Sequence, residues 1–373
     1  MRKNMSFEER QAYRKRKKLL RRIQVYSEIA LIVLAFVVGI GAVITHVKGK
    51  DNSTLQVAAE ENSSEATTEA DTTTGLKVSA KASIEEDDSA SEDDTESSAT
   101  IAGYSASETD STVSLASDSI VSSYSILINN DTKEIVGANN AYDTIVPASM
   151  TKVMTILTAA NNITEEQLDE VVTMSSEAID YSYAGGGSTS GFVEDEEVTV
   201  RDLFYGTILP SGGDAAAQLA IYVAGDIDTF VGMMNDTAEQ LGISSTTHFT
   251  NPVGFYDEDH YSTVYDIAII MMAALDNDFC NEVLNTKVYN STATNVNPEG
   301  ITISNWFLRR IEDKDIGGTI NGAKTGYVDE SGSCAVSSMT SDSGVNYICC
   351  TAKSSSSWQC IYDHVFIYKN YTE

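Results

Sequence analysis

The chain has 373 residues, 42% of them hydrophobic, and its 55 acidic against 24 basic side chains give a formal charge of -31. That is enough polypeptide for one or two domains. Five cysteines, an odd count without a Cys-x-x-Cys pair, argue against a zinc site or a full disulfide framework, and the four histidines show no metal-ligand spacing. No metal or other cofactor is expected.

Charge is unevenly spread. Residues 1–28 carry ten Lys and Arg side chains against Glu8, Glu9 and Glu28, and with Lys48 and Lys50 they hold half of the 24 basic residues. Ile29 to Thr45 follows as an uncharged apolar run of roughly the length that crosses a bilayer as a helix. Basic before apolar keeps the N-terminus cytoplasmic, so 1–28 reads as a cytoplasmic tail and 29–47 as a transmembrane signal anchor. A cleaved signal peptide is the competing reading, but the tail is long for one and no small-x-small cleavage site follows. This topogenic role also explains the basic tail more simply than nucleic-acid binding does.

Residues 48–114 are mostly Ser, Thr, Ala, Asp and Glu, as in the acidic stretch from Glu85 to Glu96. Such a segment buries too little apolar surface to offset its ordering entropy and is expected to be disordered. As a flexible coil of roughly 65 residues it spans about 45 Å, more with like-charge repulsion. It reads as a tether holding a domain away from the membrane.

Residues 115–373 carry the periodic segments. Ser122 to Ile128, a polar turn at Asn129 to Lys133, and Glu134 to Gly137 read as a β-hairpin. From Ser149 the apolar residues Val153, Ile156, Leu157 and Ala160 follow i, i+3, i+4, i+7 spacing, an amphipathic helix entered after Pro147. Ala184 to Ser188 is glycine-rich but lacks the Gly-Lys-Ser/Thr ending of a phosphate cradle and reads as a flexible loop. Helices are expected over Val200–Leu209, Asp214–Ala224, Ile227–Leu241 and Tyr265–Leu275. Strands follow over Ser333–Met339 and Tyr347–Ala352, with a last helix near Trp358 to Tyr368. Strands at both ends of a helical middle indicate an α/β (α+β) arrangement in which the terminal strands share a sheet.

Chemistry enters at Ser149. Helical i, i+3 spacing puts Ser149 and Lys152 on one face, and a lysine whose pKa is lowered can take the proton that makes serine a nucleophile. No Gly-x-Ser-x-Gly elbow exists, so a serine enzyme built from this sequence has to use lysine. Two later stretches reinforce the pair: Ser211-Gly212-Gly213 between two helices, and Lys324-Thr325-Gly326-Tyr327 ahead of the C-terminal strands.

The order Ser-x-x-Lys, Ser-x-x, Lys-Thr-Gly resembles the D-alanyl-D-alanine carboxypeptidases of serine peptidase family S11, the low-molecular-mass penicillin-binding proteins. Val146 to Lys152, Asp202 to Gly206, Phe249 to Gly254 and His260 to Thr263 also fit that family, and the resemblance runs from about Ser122 to Tyr368. It implies a two-lobed transpeptidase-like fold, also that of serine β-lactamases, with helices packed on a central antiparallel sheet and the site between the lobes. Ser149 would attack the carbonyl between the last two D-alanines of a peptidoglycan stem peptide, with Lys152 as base. Ser211 would relay a proton to the departing D-alanine, while Lys324 and Thr325 hold the terminal carboxylate. The backbone N–H groups of Ser149 and Tyr327 would stabilise the oxyanion, and β-lactams would acylate the same serine.

Three departures from the family pattern stand out. Gly213 replaces the asparagine of Ser-Gly-Asn, removing a side-chain amide expected to touch the substrate and Lys152. Lys353 stands about where an arginine helps to hold the carboxylate. The sequence stops soon after the last strands, where many relatives continue into a β domain and an amphipathic anchor, so anchoring is expected at the N-terminus. Two other functions compete: a non-catalytic or weakly active peptidoglycan or penicillin binder degraded at Gly213, and a serine β-lactamase. The latter needs a Glu-x-x-Leu-Asn turn, which Asn281 to Asn285 misses by one place.

Overall fold

A computed structural model describes residues 104–373 of the chain. The basic tail, the apolar run from Ile29 and the linker up to residue 103 lie outside the described residues. Among those described, no helix is long and apolar enough to cross a membrane.

Strand β1 (Ser107–Ser114) precedes a hairpin of β2 (Tyr124–Asn129) and β3 (Glu134–Asn139). Two short pairs lie in the middle of the chain, β4 (Val171–Thr173) with β5 (Glu197–Thr199) and β6 (Val288–Asn290) with β7 (Thr302–Ser304). The last strands are β8 (Gly318–Val328), β9 (Gly332–Ser341) and β10 (Asn346–Ser354). The main sheet runs β1-β3-β2-β10-β9-β8, so the N-terminal hairpin and the C-terminal meander join where β2 pairs with β10, Ile126 opposite Cys350.

Two expectations are corrected here. The sheet is mixed, because β1 pairs parallel to β3 while the other neighbours are antiparallel. Residues 107–114 are therefore part of the sheet and not the end of the linker. Composition hid this strand because its side chains are exposed or half-buried and contribute almost nothing to a core. What fixes it is backbone pairing, the Thr112 hydroxyl donating to the Ile135 carbonyl at 2.7 Å, and Val113 and Leu115 packing where Gly137 has no side chain.

The helices follow the expected order with additions: α1 (Thr151–Ala160), α2 (Ser176–Ala184), α3 (Val200–Ile208), α4 (Gly213–Ala224), α5 (Ile227–Gln240), α6 (Val264–Asp276), α7 (Asp278–Asn285), α8 (Trp306–Ile311) and α9 (Ser357–Tyr371). Helix α3 starts at a capping box in which Thr199 and Asp202 each satisfy the other's backbone N–H. Two cores flank the sheet. Ile126, Ile128, Val336 and Ile348 pack with the helical lobe on one face; Leu127, Ala335, Met339 and Cys349 pack under α8 and α9 on the other. The alternation along β2 is that of a strand buried on both sides. All five cysteines are buried free thiols in these cores.

Helix α1 is not amphipathic in its setting. Residues 151–159 are all buried, including the polar Thr151, Lys152, Thr155 and Thr158. Each of these has a partner inside the protein: Thr155 Oγ1 donates to the Pro252 carbonyl at 2.7 Å and Thr158 Oγ1 to Thr237 Oγ1 at 3.3 Å. The polar stripe that would face water on a surface helix faces His260, Pro252 and Thr237 instead.

Candidate active site

Ser149 does not open the helix directly. It sits in a single 3-10 turn, Ala148–Met150, that feeds α1, and Ala148 adopts a left-handed φ of 47°. The turn keeps the i, i+3 relation, and Lys152 Nζ lies 3.0 Å from Ser149 Oγ. Lys152 is 1% exposed and also donates to the Val253 carbonyl at 2.8 Å. Burial first, and the Lys324 cation second, hold its pKa well below the usual lysine range, against a weaker opposing pull from Asp214. A neutral amine beside a hydroxyl is the condition for general-base activation.

Ser211 is presented by the bend between α3 and α4 at a left-handed φ of 64°. A non-glycine residue in that region costs about 1–3 kcal/mol and is a recurrent feature of functional sites. Gly212 is forced by space: a Cβ there would lie 2.7 Å from both the Gly206 carbonyl and the Ser190 nitrogen. Lys324, from edge strand β8, donates to Ser211 Oγ at 2.9 Å and to the Thr325 carbonyl at 2.7 Å. It is 2% exposed, and burial lowers its pKa to about 7.

Strand β8 closes the site along its free edge. Gly326 abuts the serine turn so closely that a Cβ would stand 3.0 Å from the Ser149 nitrogen and 2.7 Å from Cys334 Sγ. The Ser149 N–H and the β8 backbone at Gly326 are thereby side by side. The Tyr327 ring is exposed, its hydroxyl donating to Asp329.

The remaining wall is the loop Thr250–Gly254, part of the Phe249 to Gly254 stretch that fits the family pattern. Asn251 Oδ1 accepts from three successive backbone N–H groups, those of Val253, Gly254 and Phe255, at 3.2, 2.7 and 2.9 Å. This Asx arrangement aims the Val253 carbonyl at Lys152. His260 Nδ1 accepts from the Thr250 N–H at 3.0 Å, so its Nε2 carries the proton toward Thr151 Oγ1 at 2.8 Å. Burial lowers the His260 pKa to about 3, which keeps the ring neutral and the brace intact. The signal that could have found these residues is the run of small, polar and turn-forming types at Thr250-Asn251-Pro252-Val253-Gly254.

The structure thus gathers Ser149, Lys152, Ser211, Lys324, Thr325, Gly326 and Tyr327. Lys353 is not among them. It lies on β10, separated from β8 by β9, and lines a cavity of about 280 Å³ with Tyr256, Asp257, Glu258, Glu330 and Ser331. Gly213 begins α4, where its N–H donates to the Ser188 carbonyl at 2.7 Å. The Asn251 side chain is committed to its own loop.

A buried lysine faces Ser149, a second buried lysine holds Ser211, and the open edge of β8 runs beside the Ser149 turn. The family model described as Peptidase_S11, D-alanyl-D-alanine carboxypeptidase, matches residues 109–353. The chain belongs to that family. It is 30% identical over 216 residues to the D-alanyl-D-alanine carboxypeptidase DacF of Bacillus subtilis strain 168, covering 57% of this chain and 52% of that protein. It is 34% identical over 202 residues to the D-alanyl-D-alanine carboxypeptidase of Streptomyces sp. strain K15, covering 52% and 67%. The chain therefore spans about half the length of the DacF relative. Among solved structures, the Streptomyces K15 DD-transpeptidase superimposes with a TM-score of 0.60 at 29% identity, over 67% of this chain and 97% of that one.

Proposed function

We propose that this protein is a membrane-anchored serine D-Ala-D-Ala carboxypeptidase acting on peptidoglycan stem peptides through an acyl-enzyme on Ser149. The observation that carries the reading is the 3.0 Å approach of a fully buried Lys152 to the Ser149 hydroxyl. Lys152 takes the Ser149 proton as the oxygen adds to the carbonyl of the penultimate D-alanine. The developing oxyanion is met by the Ser149 and Tyr327 N–H groups. The C–N bond then breaks, Ser211 passes a proton to the departing amine, and water hydrolyses the ester to free Ser149. Lys324 and Thr325 bind the terminal carboxylate, a point charge and a hydroxyl on the β8 edge. β-Lactams present the same carboxylate and a strained amide, and stop at the acyl stage.

A serine β-lactamase is disfavoured by Glu282, which lies in α7 one place off the expected turn and accepts from the Tyr205 hydroxyl at 2.5 Å. For localisation, the basic tail and apolar run support a single N-terminal span with the catalytic domain outside the cytoplasm.

The test is Ser149→Ala. Labelling by a fluorescent penicillin and release of D-alanine from a D-Ala-D-Ala peptide are both expected to disappear, with the circular dichroism spectrum unchanged. Wild-type labelling without D-alanine release would identify a binder. Undiminished labelling of the alanine variant would remove Ser149 from the mechanism.

A further inference from the structure

Gly213 is crowded. A Cβ built on it would lie 2.6 Å from Ser182 Oγ and 3.1 Å from Val253 Cγ1. The space at the root of the second motif's third side chain is therefore filled from two directions, by α2 and by the Thr250–Gly254 loop. Ser182 is 4% exposed, and its hydroxyl donates to the Ser188 carbonyl at 3.2 Å, the same carbonyl that accepts the Gly213 N–H at 2.7 Å. Ser182, Gly213 and Val253 meet at one point, and the Val253 carbonyl is an acceptor for Lys152 Nζ.

We infer that Ser182 is a positioning residue for Lys152: it occupies the volume given up at Gly213 and backs the Val253 segment whose carbonyl holds the lysine against Ser149. The inference rests on Lys152 being the base proposed above. The space beside Gly213 is thus taken up within this chain, by Ser182 from the end of α2 and by Val253. An asparagine restored at 213 has no room unless Ser182 yields, since Ser182 is held by Ser188 and Val253 by Asn251. The charged groups acting on Lys152 come from β8 (Lys324) and α4 (Asp214), and neither is a hydrogen-bond partner of Ser182, which bonds the Ser188 carbonyl.

The experiment measures the second-order rate of Ser149 acylation by a fluorescent penicillin across pH, on the full chain, for wild type, Gly213→Asn, Ser182→Gly, Ser182→Gly/Gly213→Asn and Ser182→Ala. Gly213→Asn is expected to slow acylation by about 100-fold, and the double variant to recover to within about tenfold of wild type. Ser182→Gly alone vacates roughly the volume of one water beside the Val253 segment. Because burial is the main force lowering the Lys152 pKa, a water admitted there moves the acid limb of the pH–rate profile to higher pH. Ser182→Ala keeps most of the bulk and is expected to hold the limb where it is. A purely structural serine would lower thermal stability in Ser182→Gly without moving the limb, and that result overturns the inference. So does a Gly213→Asn variant that acylates as fast as wild type, or a double variant no faster than Gly213→Asn. Absence of labelling in the wild type would instead strike the proposed function itself.

Discussion

A methyl group placed on Gly254 would stand 1.8 Å from the carbonyl oxygen of Ala148, the residue immediately before the nucleophile. Gly254 also has a φ of 88°, a conformation that L side chains rarely adopt. The loop carrying the Val253 carbonyl and the turn carrying Ser149 are thus pressed together at a position open to glycine. Gly254→Ala is expected to displace the serine turn, cutting penicillin acylation by at least about 100-fold, a loss on the order of 3 kcal/mol of transition-state stabilisation. Stopped-flow acylation with a parallel thermal melt checks it; full activity would mean that the two segments are not mechanically coupled.

Asn251 supports the same loop through polar contacts. Its side chain satisfies three backbone donors and donates to the Phe255 carbonyl at 3.0 Å, in a setting where Asn251 is 5% exposed. Leaving buried donors unmet costs about 1–3 kcal/mol each, less where water reaches them. Asn251→Ala should therefore lower stability by about 3 kcal/mol in urea denaturation and slow acylation as the Val253 carbonyl drifts. A change under about 0.5 kcal/mol, the range of ordinary surface substitutions, would show that the loop holds its shape without the side chain.

Much of this site is legible in the sequence. The three motifs stand out because no Gly-x-Ser-x-Gly elbow competes with them, and Ser149 with Lys152 and Ser211 with Lys324 meet in space. The hairpin, the long helices and the C-terminal strands were readable from periodicity, as was the approach of Lys152 to Ser149. What stayed hidden depends on tertiary contact. Strand β1 looks like linker because pairing, not burial, specifies it, and β8 carries the third motif inside a strand of small and polar residues with no clean alternation. The polar face of α1 reads as solvated until the loops that cover it are known. Gly213 reads as a deletion until Ser182 is found beside it.

Lys353 stands at the family's arginine position in the sequence, and it lines a cavity with Asp257, Glu258 and Glu330 that Ser149, Lys324 and Thr325 do not line. Lys353→Ala is accordingly expected to change KM for a D-Ala-D-Ala peptide by less than about threefold. Thr325→Val, which removes a hydroxyl from the β8 edge, should lower kcat/KM at least about tenfold, the scale of one lost hydrogen bond to a charged group. Equal losses for the two variants would return Lys353 to the carboxylate site.

The last prediction concerns pH, and its sign follows from two lysines with opposite tasks. In the proposed mechanism Lys152 is the base and has to be neutral, so kcat/KM should rise as pH climbs through its depressed pKa. Lys324 is there the cation that meets the carboxylate and has to be protonated, so kcat/KM should fall as pH passes its pKa, lowered to about 7 by burial. The free protein is therefore expected to give a bell-shaped kcat/KM profile whose basic limb lies near neutrality. Bound substrate brings a carboxylate to Lys324, which favours the charged form and raises that pKa, so the basic limb of kcat should lie at higher pH than that of kcat/KM. In Lys324→Arg, whose guanidinium stays protonated throughout, the basic limb should disappear even if the peak rate drops. A basic limb that persists unchanged in Lys324→Arg would assign it to another group and detach Lys324 from carboxylate binding.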